Sequence, residues 1–174
     1  MVAVDSAGGG ADGDYAAVQV IELASGVQCA ELQQRLRPRE LSRAVASLAR
    51  EYSAPGRAAL VIVERNNHGH TVLGHLHESE HYAPLYEQKG NSGWLTSSAS
   101  KPEIIAHMNS LLVEKPEMFR SKRLLEECRT FVNLYGGRAG AAPGAHDDLV
   151  MAMAIAQSVR KELLNSGKRR LHAA

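Results

Sequence analysis

The sequence predicts an α/β domain, a mixed sheet of five or more strands flanked by helices. Strand-forming segments crowd the first 36 residues. A continuous apolar run, Ala58 to Val63 (AALVIV), has the pattern of a central strand buried on both faces. Helical and strand patterns then alternate to the end of the chain. With 174 residues, 44% hydrophobic and 22% charged, the proportions are globular and the size suits one ordinary domain. We assign residues 1–165 to that domain and 166–174 to a flexible basic tail.

Met1 to Asp5 reads as a short apolar strand ending on a carboxylate. Ser6 to Asp14 (SAGGGADGD) is a loop, because its glycines disfavour both helix and strand. Tyr15 to Leu23 is rich in β-formers, Ala24-Ser25-Gly26 turns the chain, and Val27 to Leu36 returns as a third strand. Pro38 opens a helix through about Tyr52, with Leu41, Val45, Leu48 and Ala49 on one face. This helix serves as a crossover, so the strand ending at Val63 lies parallel beside the first. Residues 70–78 form a short helix, Leu85-Tyr86 a short strand and Gly93 to Ser97 a polar turn. Lys101 to Glu114 and Ser121 to Arg129 are helical in pattern, Phe131 to Tyr135 is a strand and Gly136 to Gly144 a glycine-rich loop. His146 to Asn165 closes the domain as a helix of roughly 30 Å.

No apolar run approaches the ~20 residues that span a bilayer, and no basic-then-apolar leader opens the chain, so neither membrane insertion nor export is expected. Cys29 and Cys128 are too few for a disulfide scaffold and lack metal-ligand spacing, which fits a reducing compartment. The net charge of +1 hides an uneven distribution. Residues 1–34 carry five acids and no Lys or Arg, whereas Lys115 to Arg138 holds six basic residues against three acids. An acidic pole beside basic stretches suits a cation site next to a polyanion-binding surface, although solvated helix faces produce the same pattern.

Three acidic features interrupt apolar structure where folding needs no acid. Asp5 ends the first strand, Glu64 ends the most buried strand, and Asp147-Asp148 stands at the start of the last helix. The predicted topology sets Asp5 and Glu64 side by side. Converging carboxylates without local Lys or Arg repel one another unless cations are present. All-oxygen donor sets suit Mg²⁺ or Mn²⁺, and two such ions about 3.5–4 Å apart are the usual device for in-line phosphodiester cleavage. Each member also has an ordinary reading. Asp147 or Asp148 can simply cap the last helix, and Asp5 can be a strand-to-loop residue. Glu64 is the hardest to dismiss, because ligands bind at strand tips in open α/β sheets.

The order VAVD, glycine loop, DYAAVQV, then LVIVERNNHG, GWLTSSASKPEII and GAHDDLVMAMAIA resembles the C-terminal nuclease domain of tailed-phage large terminases, over about residues 2–160. The resemblance implies a ribonuclease H-like fold and cleavage of double-stranded DNA during genome packaging with two divalent metals. It places the acidic triad on Asp5, Glu64 and the Asp147-Asp148 pair, with Asp148 the chosen direct ligand, and matches Asp14 to an acidic position near the metals. It further implies the cytoplasm of a bacterial host and, in a full-length protein, an ATPase domain, a portal and a small terminase subunit as partners. The motor's phosphate-binding loop, G-x-x-x-x-G-K-[ST], does not occur here, so ATP-driven translocation is not expected of this chain. The start at strand 1 reads as an isolated domain. The rival readings are another ribonuclease H-like nuclease, of the resolvase type, and a non-catalytic DNA- or portal-docking module.

Five histidines between His68 and His81 invite a zinc reading, but neither H-E-x-x-H nor paired cysteines accompany them. They suit an exposed loop and short helix, while His68 and His146 lie near enough in sequence to Glu64 and Asp147 to assist them. Lys101 at a helix start is a candidate phosphate contact, as are Lys122 and Arg123, with Ser100 and Glu103 a candidate capping box. Trp94 is expected to pack rather than stack on bases.

Overall fold

The computed structural model of the chain describes residues 1–6, 15–66, 68–133 and 139–172. Its main sheet is built from β1 (Val2–Asp5), β2 (Ala16–Ile21), β3 (Gln28–Gln34) and β4 (Val61–Val63) in the order β3-β2-β1-β4. The first three strands run antiparallel in turn, and β4 lies parallel to β1. The crossover that makes this pairing possible is α1 (Pro38–Glu51). Pro38 sits in its first turn, and Glu40 reaches back to accept a hydrogen bond from the Arg37 N–H at 3.0 Å, which fixes where the helix begins.

Side-chain alternation splits the core into two halves. Val2, Val4, Val18, Val20, Val61 and Val63 face α1 and α2 (Gly69–Glu78), where they meet Leu41, Val45, Val72 and Leu76. Each of these large side chains, fully removed from water, is worth about 1.5–3 kcal/mol. On the other face Ala3, Ala17 and Ile62 share a core with Leu149, Ala152, Met153, Ile155 and Ala156 of α5 (Asp148–His172). The small alanines on both sides let this helix lie close on β1 and β2. α3 (Ser100–Glu114) and α4 (Lys122–Thr130) complete that layer.

Among the described residues the main sheet has four strands, not the five or more expected. The edge beyond β4 is only touched at two points. Leu85 bridges Val61 and Trp94 bridges Glu64, with Tyr86 N–H donating to the Val61 carbonyl at 2.8 Å and Trp94 N–H to the Val63 carbonyl at 2.8 Å. Between those points the chain leaves the sheet as a hairpin, β5 (Glu87–Gln88) and β6 (Asn91–Ser92), closed by a Gly93 N–H to Tyr86 carbonyl bond of 2.7 Å. Lys89 and Gly90, both at positive φ, make its turn. A continuous ladder is therefore replaced by two isolated bridges. Likewise β7 (Phe131–Asn133) does not join the sheet but pairs with β8 (Ala139–Ala141), inside the stretch read from sequence as a glycine loop. α5 continues to His172, past the predicted end at Asn165.

Candidate active site

Parallel register brings the first two carboxylates together. Val4 pairs with Val63, and the Glu64 N–H donates to the Val4 carbonyl at 2.8 Å, so the next residues along, Asp5 and Glu64, project from neighbouring strand ends. Adjacent strands stand about 4.8 Å apart, which is contact distance for two carboxyl groups. The start of α5 adds Asp147 and Asp148. Glu64, Asp148 and Asp147 all act electrostatically on Asp5, so the four acids lie at one end of the sheet.

Asp5 registers the crowding. Burial first, then the Glu64 charge and a hydrogen bond with it, then Asp148 and Asp147, hold its carboxyl well above the usual carboxylate range. Asp148 acts on Asp5 more strongly than Asp147 does. Because the folded state binds this proton more tightly than the unfolded chain does, ionising Asp5 destabilises the cation-free fold. That contribution is favourable near the ordinary Asp value of 3.8 and is lost as pH rises through the raised value. Thermal melts in EDTA from about pH 4 to about pH 8 should show wild type losing ground to Asp5→Asn as pH increases. A constant difference between the two proteins across that range would contradict this account.

The neighbours of the four acids are specific. The Asn66 amide donates to Glu64 Oε1 at 3.3 Å and to the Thr96 carbonyl at 3.1 Å, tying the acid to the segment after Trp94. Ser6 donates to the Glu64 carbonyl at 3.4 Å. Gly69 sits so tightly against Glu64 that a Cβ there would lie 1.8 Å from its carbonyl oxygen. Asp147 pairs with Lys101 at 3.6 Å, and His146 Nδ1 lies 3.7 Å from Asp148 Oδ2 while its ring meets Tyr15 edge-on at 5.0 Å.

Among the described residues, the first free amides of α5 are not taken by the Asp147 carboxylate. They go to Glu127 of α4, whose Oε2 accepts from the Leu149 N–H at 2.9 Å and the Val150 N–H at 3.3 Å. Burial raises the Glu127 carboxyl, against the hydrogen bonds from Val150, Gln33 and Leu149 that lower it. Sequence reading missed Ser6, Asn66 and Glu127. Asn66, two residues from Glu64, was open to notice, but Glu127 sits in an ordinary basic-acidic helix face and carries no local signal.

The remaining candidates are placed less centrally. His68 is exposed at the start of α2, and His70, His77 and His81 are exposed as well. Lys122 pairs with Glu126 at 3.6 Å along α4, and Arg123 pairs with Glu31 of β3 at 2.8 Å, so both already have acidic partners within the fold. Ser100 is not the cap of α3. Ser97 accepts from the Ser100 N–H at 3.1 Å and its carbonyl from the Lys101 N–H at 2.9 Å. Trp94 is buried and packs on Tyr86, as expected. Asp14 lies outside the described residues.

Among the described residues no three His, Cys, Asp or Glu side chains stand ready-grouped around a metal position. The donor chemistry nonetheless fits hard cations. Asp5 and Glu64 crowd each other at adjacent strand ends, a repulsion that a divalent ion can relieve, and every carboxylate donor in the cluster is an oxygen.

No protein-family model and no curated protein matches the sequence. Solved structures share its fold. The large terminase nuclease from thermophilic phage G20c with bound magnesium superposes with a TM-score of 0.66 at 21% identity, covering 91% of this chain and 79% of that one. A second structure of the same nuclease gives 0.64 at 19%, covering 91% and 81%. With bound zinc it gives 0.57 at 24%, covering 91% and 79%. This chain has the fold of a large terminase nuclease. In that terminase-nuclease fold the acidic cluster lies where the ends of β1 and β4 meet the start of α5. Among the described residues no helix is long and apolar enough to cross a membrane.

Proposed function

We propose that this chain is a metal-dependent endonuclease that cuts double-stranded DNA during phage genome packaging. The observation that carries the reading is the meeting of Asp5 and Glu64 at adjacent strand ends with Asp148 at the start of α5, a crowding strong enough to hold the Asp5 carboxyl well above its usual range. Asp5, Glu64 and Asp148 would hold two Mg²⁺ or Mn²⁺ ions, with Asp147 beside them. Bound there, such ions supply Lewis-acid stabilisation of the charge that develops on a phosphodiester as it is displaced.

The chain's own residues set the geometry. Asn66 restrains the Glu64 carboxylate by a hydrogen bond to one oxygen and by its second bond to Thr96. His146 stands beside Asp148, its Nδ1 3.7 Å from Oδ2, and its ring packs edge-on against Tyr15. Lys101 is drawn to Asp147, and its partly exposed ammonium also stands at the helix start, where a DNA phosphate would find both side-chain charge and helix dipole. Lys122 and Arg123 provide further positive charge on α4 for the DNA backbone, in exchange with Glu126 and Glu31. These contacts read phosphate, not sequence. An ATPase domain, a portal and a small terminase subunit belong to the proposed full-length assembly, which would work in the cytoplasm of the bacterial host.

Supercoiled plasmid incubated with the purified chain and Mg²⁺ or Mn²⁺ should be nicked and linearised with little site preference and no response to ATP. EDTA should stop the reaction. DNA binding measured by fluorescence anisotropy should fall steeply with salt, with a slope of about −0.9 per phosphate neutralised. Intact plasmid under all metal conditions, with binding preserved, would favour a non-catalytic docking module instead.

A further inference from the structure

The start of α5 poses a problem that the fold solves from outside the helix. The Asp147 carbonyl accepts the first intrahelical bond, from the Met151 N–H at 2.8 Å, which makes Asp147 the capping position. A capping aspartate ordinarily turns its own carboxylate onto the amides two and three residues further on. Those amides belong to Leu149 and Val150, and Glu127 holds both. Glu127 is 9% exposed, and its second oxygen accepts from Gln33 Nε2 of β3 at 2.6 Å, so the carboxylate is pinned between α5 and the sheet. Asp147 is left to meet Lys101, and Asp148 to meet His146 and act on Asp5.

We propose that Glu127 is a positioning residue of the carboxylate site, capping α5 in place of Asp147 so that both aspartates stay turned toward the cluster. This rests on the proposed reading of the cluster as a divalent-cation site. The same geometry accounts for how Asp147 can stand at the capping position without its carboxylate being spent on the amides of Leu149 and Val150.

The test compares Glu127→Ala and Glu127→Gln with wild type. Calorimetric titration of each purified chain with Mn²⁺, without DNA, should show affinity reduced about 10-fold or more in Glu127→Ala, the range in which removing an orienting group acts. Glu127→Gln retains one carbonyl acceptor and should fall between. A melting temperature lowered with wild-type Mn²⁺ affinity would overturn the proposal, because a merely structural cap predicts that result. Should Glu127→Ala fail to fold, Glu127→Gln decides by the same criterion. A crystal structure of the cation-free variant reads the orientation directly. An Asp147 carboxylate within hydrogen-bond distance of the Leu149 or Val150 N–H supports the proposal, and an unmoved Asp147 overturns it. A wild-type chain that binds no divalent ion would refute the cation reading alone, and that crystal structure would still decide the role of Glu127.

Discussion

Glu64→Gln is expected to lose nearly all plasmid cleavage while keeping its fold. A carboxylate at the tip of β4 is proposed to hold cations, and the ions contribute several kcal/mol of transition-state charge stabilisation. At about 1.4 kcal/mol per decade, losing most of that lowers the rate about 10³-fold or more. Asp5→Asn and Asp148→Asn should behave alike, since the three groups form one cluster and their effects are not additive. The same substitutions relieve repulsion in the cation-free protein, where Glu64 and Asp148 both act unfavourably on Asp5. Each variant should therefore melt at or above the wild-type temperature in EDTA and gain less than wild type from added Mn²⁺. Gel assays of plasmid nicking, paired with melts, check both halves. Full cleavage by Glu64→Gln would sink the two-cation assignment, and a large drop in melting temperature would recast Glu64 as a folding residue.

Gly69→Ala should damage both stability and activity, although it adds one methyl group. Its Cβ would stand 1.8 Å from the Glu64 carbonyl oxygen and 3.2 Å from Ser6 Oγ. The blocking atom is backbone, so relief requires moving either the start of α2 or the tip of β4. Overpacking of this kind costs about 3 kcal/mol or more, and the tip of β4 is what aims Glu64. Gly74→Ala, further along the same helix, is the control. Nothing lies within 4 Å of a Cβ at that position, so alanine should stabilise the protein by about 0.5–1 kcal/mol through helix propensity alone. Chemical denaturation of the two variants, opposite in sign, measures the effect. Equal and small changes would show that the Gly69 contact relaxes without consequence.

Much of this molecule is legible in the amino-acid sequence. The run Ala58 to Val63 identifies a buried strand because period-free apolarity has few other uses at that length. Pro38 and the spacing of Leu41, Val45 and Ala49 place α1, and a crossover of that length implies a parallel partner for β1. From parallel pairing alone, Asp5 and Glu64 have to become neighbours. Acids that follow valines at two strand ends are visible because they break a pattern.

The missing pieces share a physical cause. Strand number depends on where the chain between Tyr86 and Gly93 goes, and two positive-φ residues turn it out of the sheet into a hairpin. Arg123 reads as a free cation in sequence and is an ion pair in space, because its Glu31 partner comes from β3. The assignment of caps fails for the same reason at α5, where Glu127 reaches its amides from another helix. Local pattern governs which residues are apolar, which segments coil or extend, and which acids stand at element ends, since those depend on neighbours within a few positions. Which carboxylate is held by a proton, a lysine or an amide depends on groups brought together by packing, where a shift of an ångström changes the partner. The identity of the acids is therefore written in the chain, and their division of labour only in the fold.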